Sequence, residues 1–144
     1  MSQYERYGMS KPPEPVGQAG AYEEELAQWL LEVSFFRDFV YRNPPSKGGR
    51  GELADAVVLY DDLVLATQVG SHHSARPVAD WVPKTLETKL NQLRHTVRML
   101  RDKHVRTLTN STYGQVSINP SDIKDWIGLI VLDHEGAPYL PETA

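Results

Sequence analysis

The sequence predicts an α/β domain, and two observations predict it. Two apolar segments separated by Asp61 and Asp62 form a central hairpin over residues 52–69. Amphipathic spacing predicts helices at about residues 21–33 and 82–103. Because the hairpin segments are nearly continuously apolar, both faces of these strands must be covered, and we expect the two helices to flank the sheet.

Length and composition limit the class of protein. With 144 residues the chain is one domain of ordinary size, and its 40% hydrophobic and 24% charged residues are typical of globular proteins. It has no cysteine, which excludes disulfides, a thiolate zinc site and a cysteine nucleophile. No apolar run approaches the roughly 20 residues of a membrane helix, and no signal-peptide pattern begins the chain. We therefore expect a cytoplasmic protein without a membrane partner.

The charge is acidic overall but unevenly distributed. A net charge of −4 and a pI near 5.7 argue against a surface that is basic all over, as many nucleic-acid-binding proteins have. Basic side chains nevertheless concentrate in one stretch: Lys84, Lys89, Arg94, Arg98, Arg101, Lys103 and Arg106. A phosphate backbone would meet the protein there.

The first helix follows a segment without periodicity. Residues 1–18 combine prolines and glycines with polar residues, which predicts a flexible N-terminal arm and places the folded domain at residues 19–144. In helix 21–33, Leu26 and Leu30 share one face, and glutamates occupy the first turn, where the helix dipole favours negative charge.

Further strands are predicted outside the hairpin. Residues 34–43 are aromatic and β-branched and end at a proline pair, which suits a first strand. Short strands are predicted at residues 105–109 and 115–119, and residues 126–133 are typical of a buried strand. The chain ends soon afterwards, so the sequence leaves open that it is the front part of a longer protein.

A loop containing His72 and His73 precedes the second helix. Adjacent residues on an extended chain point in opposite directions, so at most one of these histidines could share a ligand sphere with Asp55, and we expect both to be solvated. Pro83 is placed in the first turn of the helix, whose apolar face covers the sheet.

Polar residues interrupt the apolar hairpin at Glu52, Asp55 and Gln68. A carboxylate inside an otherwise apolar strand is costly unless it is paired, hydrogen-bonded or bound to a metal. Asp55 therefore needs a partner that a surface aspartate would not.

The spacing of these residues resembles the metal site of the PD-(D/E)XK nuclease superfamily, in which an acid on one strand is followed, after a hairpin, by an acid or amide, a spacer and a lysine. Asp55 matches the first acid. Gln68 matches the second half of this motif in its glutamine form. That form occurs in branches of the superfamily that resemble related defence nucleases and the restriction enzymes that cut modified DNA. The resemblance covers roughly residues 20–100, and the lysine position is occupied by Gly70.

The resemblance implies a restriction-endonuclease-like fold with a mixed sheet. It also implies metal-dependent hydrolysis of phosphodiesters, in DNA more than in RNA, and a role in defence against foreign DNA. It implies that Asp55, with Glu52 or Glu23, binds Mg²⁺ or Mn²⁺. Gln68 would ligate through its amide oxygen or orient a water. Glu23 also has a simpler interpretation, which is that it complements the helix dipole.

The second helix is the expected nucleic-acid contact. A row of lysine or glutamine after the active-site strands is a feature of several branches of the superfamily, which singles out Lys84, Lys89 and Gln92, together with Arg94. The alternative is a solvated basic face. The sequence also leaves open a homodimer or a complex with a partner protein.

Glycine at position 70 cannot orient a water or neutralise charge on a phosphate, so the resemblance implies an inactive or impaired enzyme. Three explanations stay open: a deliberate substitution, a natural pseudo-nuclease, or a lysine supplied by the second helix. Glycine is unfavourable inside a buried strand, which favours the first, and we expect Gly70→Lys to create cleavage.

Two other classes of function compete with the enzyme. The chain is either a non-catalytic nuclease-fold module that binds nucleic acid or a partner protein, or a small α/β interaction domain in which Arg50 or a backbone amide satisfies Asp55. The nuclease-fold module, like the enzyme, requires Asp55, Gln68 and a further acid to converge.

Overall fold

The computed structural model describes residues 11–15, 20–42, 52–102, 107–110 and 112–135. The helices are α1 (Ala21–Phe35) and α2 (Val78–Arg101), with short 3-10 turns at Arg37–Phe39 and Pro120–Asp122. The strands are β1 (Val40–Arg42), β2 (Ala56–Tyr60), β3 (Leu63–Ser71), β4 (Thr107–Asn110), β5 (Gly114–Ser117) and β6 (Asp125–Asp133).

Four of these strands form a mixed sheet in the order β1-β2-β3-β6. The first three are antiparallel neighbours, and β6 pairs parallel with β3, with Leu63 beside Asp125 and Ser71 beside Asp133. A parallel pair needs a crossover connection, and α2 supplies it. The prediction of a mixed α/β sheet is therefore confirmed.

The central hairpin is also confirmed. Asp61 and Asp62 form its turn, and Asp61 has a φ of 53°, a left-handed conformation that aspartate tolerates better than most residues. All but the end residues of β3 are buried, because this strand has a neighbour on each side and a helix over each face.

Alternate residues of the hairpin face two separate cores. On one face, Val57 and Val64 pack with Leu100 of α2. On the other, Val58 and Leu65 pack with Leu31 of α1. The two helices thus cover opposite faces of the sheet, which is the flanking arrangement predicted from the apolar strands.

The β4–β5 hairpin forms a second, two-stranded sheet that closes the α2 side of the core. Leu108 is fully buried in the same cluster as Leu100. Gly114 permits the turn, since its φ of 67° is unfavourable for other residues. The Asn110 side chain donates to the Asp38 carbonyl at 2.7 Å and ties the hairpin to the β1 edge.

The prediction of a strand over residues 34–43 is wrong for most of that segment. The helix continues through Phe35, and within residues 34–42, the described part of this segment, the strand is limited to Val40–Arg42. Phe36, with a φ of 61°, turns the chain between them and is largely exposed. Aromatic content suggested a strand here, but residues 34–35 extend the last turn of α1 instead.

The second helix begins one turn earlier than predicted, at Val78, so Pro83 lies inside α2 and not in its first turn. Its end at Arg101 agrees with the sequence, while residue 103 lies outside the described residues. So do residues 1–10 and 16–18 of the predicted arm.

The prediction that residues 126–133 form a buried strand is wrong about burial. The strand exists, but β6 lies at the end of the four-stranded sheet, and Ile127 and Leu129 are 45% and 37% exposed. An apolar sequence alone does not distinguish an edge strand from a central one. Within the described part of the chain, neither helix is long and apolar enough to span a bilayer.

Candidate functional site

A cleft of about 660 Å³ opens between the β2–β3 hairpin and α2. Its polar lining includes Glu52, Asp55, Gln68, Lys89, Gln92 and His95. Asp55 and Gln68, predicted from the sequence to converge, therefore do so. Both are buried, at 8% and 6% exposure, whereas Glu52 is exposed at the cleft.

Asp55 is held by backbone contacts immediately before β2 begins. Its Oδ2 accepts a hydrogen bond of 2.6 Å from the Val69 amide, and its own amide donates to the Thr67 carbonyl at 3.1 Å. From α1, the Gln28 side chain donates to the Asp55 carbonyl at 3.1 Å. A backbone amide thus satisfies one carboxylate oxygen, which one of the alternatives from the sequence anticipates for a structural aspartate.

Lys89 reaches this buried site from α2. Its Nζ lies 3.5 Å from Oε1 of Gln68, at the long limit of a hydrogen bond. Because an amide oxygen is a weak partner for an ammonium, Lys89 keeps most of its capacity to donate. The half-buried lysine therefore presents a cation between the helix and the Asp55–Gln68 pair.

Gly70 has a packing reason that the sequence did not reveal. A Cβ built at this position would lie 2.8 Å from Cδ2 of Leu132 and 3.0 Å from Cγ2 of Thr85. It would also lie 3.7 Å from Cε of Lys89. A side chain at position 70 therefore requires Leu132 and Thr85 to shift, and the stem of Lys89 runs past the place where that side chain would begin.

Glu24, which sequence reasoning missed, is electrostatically coupled to the cleft. Partial burial raises its pKa, and the negative charges of Asp55 and Glu52 raise it further, while Lys89 opposes them. Glu24 lies one helical turn before Gln28, which contacts Asp55. Glu24, Gln28 and Glu32 recur at four-residue spacing on one face of α1, and Gln28 and Glu32 are buried. This spacing was the signal that could have found Glu24.

Glu23, predicted as a metal ligand, has different partners from Glu24. Its Oε1 lies 3.3 Å from Nε2 of His73, and the Ser71 hydroxyl lies 2.6 Å from the same nitrogen. Burial alone would raise the pKa of Glu23, but hydrogen bonds from backbone amides and from Ser71, with the charge of His73, lower it. Glu23 lines the groove between α1 and β6, and is not among the side chains that line the cleft.

The two loop histidines are each engaged away from Asp55. His73 contacts Ser71 and Glu23, while Nε2 of His72 lies 2.7 Å from the Arg76 carbonyl. The ring of His72 also packs edge-on against Trp81 at 5.0 Å. His72 is only half-exposed, so the expectation of freely solvated histidines holds better for His73.

The predicted nucleic-acid residues of α2 separate onto two flanks of the helix. Lys89 and Gln92 line the cleft, and Lys84 lies one turn before Thr88, which lines it too. Arg94 instead lines a groove beside β6, which we call the β6 groove, with Arg98 and Arg101. These charges are neighbours in sequence but not on one surface.

The donor set of the cleft suits a hard divalent cation with an incomplete protein shell. Within the described ranges, no three side chains of histidine, aspartate or glutamate converge at metal-binding distances. However, Mg²⁺ usually keeps several waters and takes only one or two protein carboxylates. Asp55 and the Gln68 amide oxygen, which line the cleft, meet that smaller requirement. Glu24 of α1 is affected by the same charges, because burial raises its pKa and the charges of Asp55 and Glu52 raise it further.

Comparison with protein-family models, curated proteins and solved structures finds no match to this chain. Function is therefore argued from the cleft itself.

Proposed function

We propose that this chain is a metal-dependent nuclease domain with a restriction-endonuclease-like core, and that Lys89 supplies the cation missing at position 70. The substrate is a DNA phosphodiester, and defence against foreign DNA is the setting that the resemblance suggests. The order of elements supports the proposal: a helix, three antiparallel strands, a crossover helix, and a strand parallel to the third.

The position of Lys89 is the observation that carries the proposal. Its Nζ lies 3.5 Å from Oε1 of Gln68, two residues before the glycine that replaces the lysine of the motif. Its Cε lies 3.7 Å from a Cβ built at Gly70. Of the three explanations for the glycine, a lysine from the second helix is thus the one that the geometry supports.

The residues of the cleft divide the chemistry between them. Asp55, Glu24 and the amide oxygen of Gln68 would hold Mg²⁺ or Mn²⁺, which when bound polarises the scissile phosphate. The backbone amide of Val69 fixes the orientation of Asp55. Lys89 stabilises the negative charge that develops on the phosphate, because its ammonium reaches the same cleft without a carboxylate partner among the described residues.

A nuclease assay with Mg²⁺ or Mn²⁺ tests this function. We expect the protein to cut DNA, and we expect Asp55→Asn to abolish cleavage while leaving an acceptor for the Val69 amide. Thermal melting checks that the variant is folded. Loss of cleavage in a folded Asp55→Asn protein supports the proposal, and unchanged cleavage removes Asp55 from the site.

A second candidate is a nuclease-fold module that binds nucleic acid without cutting it. The absence of a three-residue metal set among the described residues favours this candidate. Two results together would establish the binding module. The protein would bind DNA without cutting it in any divalent metal, and Mn²⁺ titration would give no calorimetric heat.

A further inference from the structure

A second recess of about 480 Å³ adjoins the cleft on the same flank of α2. We call it the Trp81 recess, and its lining residues are Ser74, Arg76, Trp81, Lys84, Thr85 and Thr88. It combines one aromatic ring, two cations and several hydroxyls. The metal chemistry proposed for the cleft uses none of these groups.

Two histidine rings contact Trp81 and restrain its orientation. His72 packs edge-on at 5.0 Å with an interplanar angle of 68°, and His134 lies 6.3 Å away at 63°. His72 is itself fixed by the Arg76 carbonyl at 2.7 Å. The half-exposed indole is therefore preorganised where it lines the recess.

The two cations of the recess are available to a ligand. Arg76 and Lys84 are both exposed, and none of the ion pairs within the described ranges involves either one. An aromatic face beside unpaired cations is the combination with which proteins bind single-stranded nucleic acid, since the base stacks and the phosphate is neutralised.

The recess lies next to the cleft. Thr88 lines both, and the Thr88 hydroxyl donates to the Lys84 carbonyl at 3.0 Å. Trp81 and Lys89 lie eight positions apart on one helix, which corresponds to about 12 Å along its axis. That length spans about three to four nucleotides at the 3.4 Å spacing of a stacked strand.

We propose that the Trp81 recess binds an unpaired nucleotide of the substrate, which makes single-stranded DNA the preferred substrate class of the cleft. The base stacks on Trp81, and Arg76 and Lys84 hold the adjoining phosphates. In duplex DNA both faces of a base are covered by its neighbours, so stacking on Trp81 requires an unpaired base. This inference rests on the nuclease function proposed for the cleft.

Binding in EDTA, where a metal-dependent enzyme cannot cut, tests the recess separately from catalysis. Fluorescence anisotropy would compare a labelled thymidine oligonucleotide with a labelled duplex. We expect Trp81→Leu to weaken single-strand binding about 5- to 150-fold, with little change for duplex. Trp81→Phe should keep most of the affinity, and Trp29→Phe, in α1, should keep all of it. Equal single-strand affinity of folded Trp81→Leu and the unchanged protein would overturn the inference.

Cleavage of the same oligonucleotides with Mn²⁺ separates the two proposals. Faster cutting of the single strand, lost in Trp81→Leu, supports both. Trp81-dependent binding without cleavage supports the recess and contradicts the nuclease. Cleavage that is indifferent to Trp81 supports the nuclease and overturns the recess, and failure to bind either oligonucleotide overturns both.

Discussion

The two flanks of α2 carry similar positive charge but face different surroundings. On one flank Lys89 meets the buried Asp55 and Gln68 across a polar cleft. On the other, Arg94 and its neighbours line the β6 groove, beside apolar residues of an edge strand. Among the described residues of α2, those on the cleft flank bring a cation to buried polar side chains, and the proposed chemistry depends on this difference.

The largest expected difference between the flanks is catalytic. Lys89→Ala should reduce the cleavage rate by about 10²–10³, because removing one preorganised group that stabilises transition-state charge typically costs that much. Arg94→Ala, the matched change on the β6 flank, should leave the rate nearly unchanged. Initial rates under saturating Mn²⁺ would measure both.

A comparable loss in Lys89→Ala and Arg94→Ala would mean that the helix contributes only general attraction for DNA. Thermal melting of both variants controls for folding. Lys89→Arg is a useful third variant, because it keeps the charge but changes the geometry of the donor.

The second difference between the flanks is steric. Gly70→Ala should destabilise the fold by about 1–3 kcal/mol, since its Cβ would lie 2.8 Å from Leu132 and 3.0 Å from Thr85. Gly128→Ala, on β6, is the matched control and should cost less, because a Cβ built there would lie 3.0 Å from Cδ1 of Leu93 and no closer to any other residue. Urea denaturation would give both free energies of unfolding.

Gly70→Lys should destabilise the fold and add no cleavage, which reverses the expectation drawn from the sequence. If this variant instead folds normally and cuts DNA faster than the unchanged protein, Lys89 does not replace the missing lysine.

The third difference concerns phosphate contacts. The double change Lys84→Ala with Lys89→Ala should lower the slope of log affinity against log salt for single-stranded DNA by about 1.4, at roughly 0.7 for each lost contact. Arg94→Ala with Arg98→Ala should leave the slope unchanged. Anisotropy titrations over a range of salt would measure it, and an equal drop in both pairs would show that DNA contacts both flanks.

Local pattern predicted much of this fold. Alternating and continuous apolar runs gave the central hairpin, and helical periodicity gave both helices, because each signal is contained within one element. The approach of Asp55 to Gln68 followed from the hairpin register. The prediction that β6 is buried was wrong, because the position of a strand in its sheet depends on which strands are its neighbours.

The composition of the cleft was harder to predict, because it depends on how each helix is rotated about its axis. Glu23 and Glu24 are adjacent in sequence, yet Glu23 pairs with His73 whereas the charges of Asp55 and Glu52 act on Glu24. Gly70 was interpreted as a missing lysine because its close neighbours, Leu132 and Thr85, come from later elements.

The smallest expected effect tests what it costs to hold a charge on Glu24, which is partly buried and close to the charges of Asp55 and Glu52. Because the folded protein raises the pKa of Glu24, ionisation of this carboxyl costs stability when the pH exceeds its folded pKa. At a pH well below the ordinary glutamate value of about 4.3, the carboxyl is neutral in both states and the cost vanishes. Glu24→Gln should therefore raise the melting temperature near pH 7, on the order of 1 °C, and have no effect near pH 3.

Glu25→Gln is the matched control for this change, since Glu25 is exposed on the same turn of α1. Melting curves with and without Mg²⁺ extend the test. A divalent cation in the cleft would relieve the same repulsion, so Mg²⁺ should stabilise the unchanged protein more than Glu24→Gln. Equal stabilisation of the two by Mg²⁺ would place the cation away from Glu24. A melting difference that persists to pH 3 would show that glutamine acts at this position through packing and not through charge.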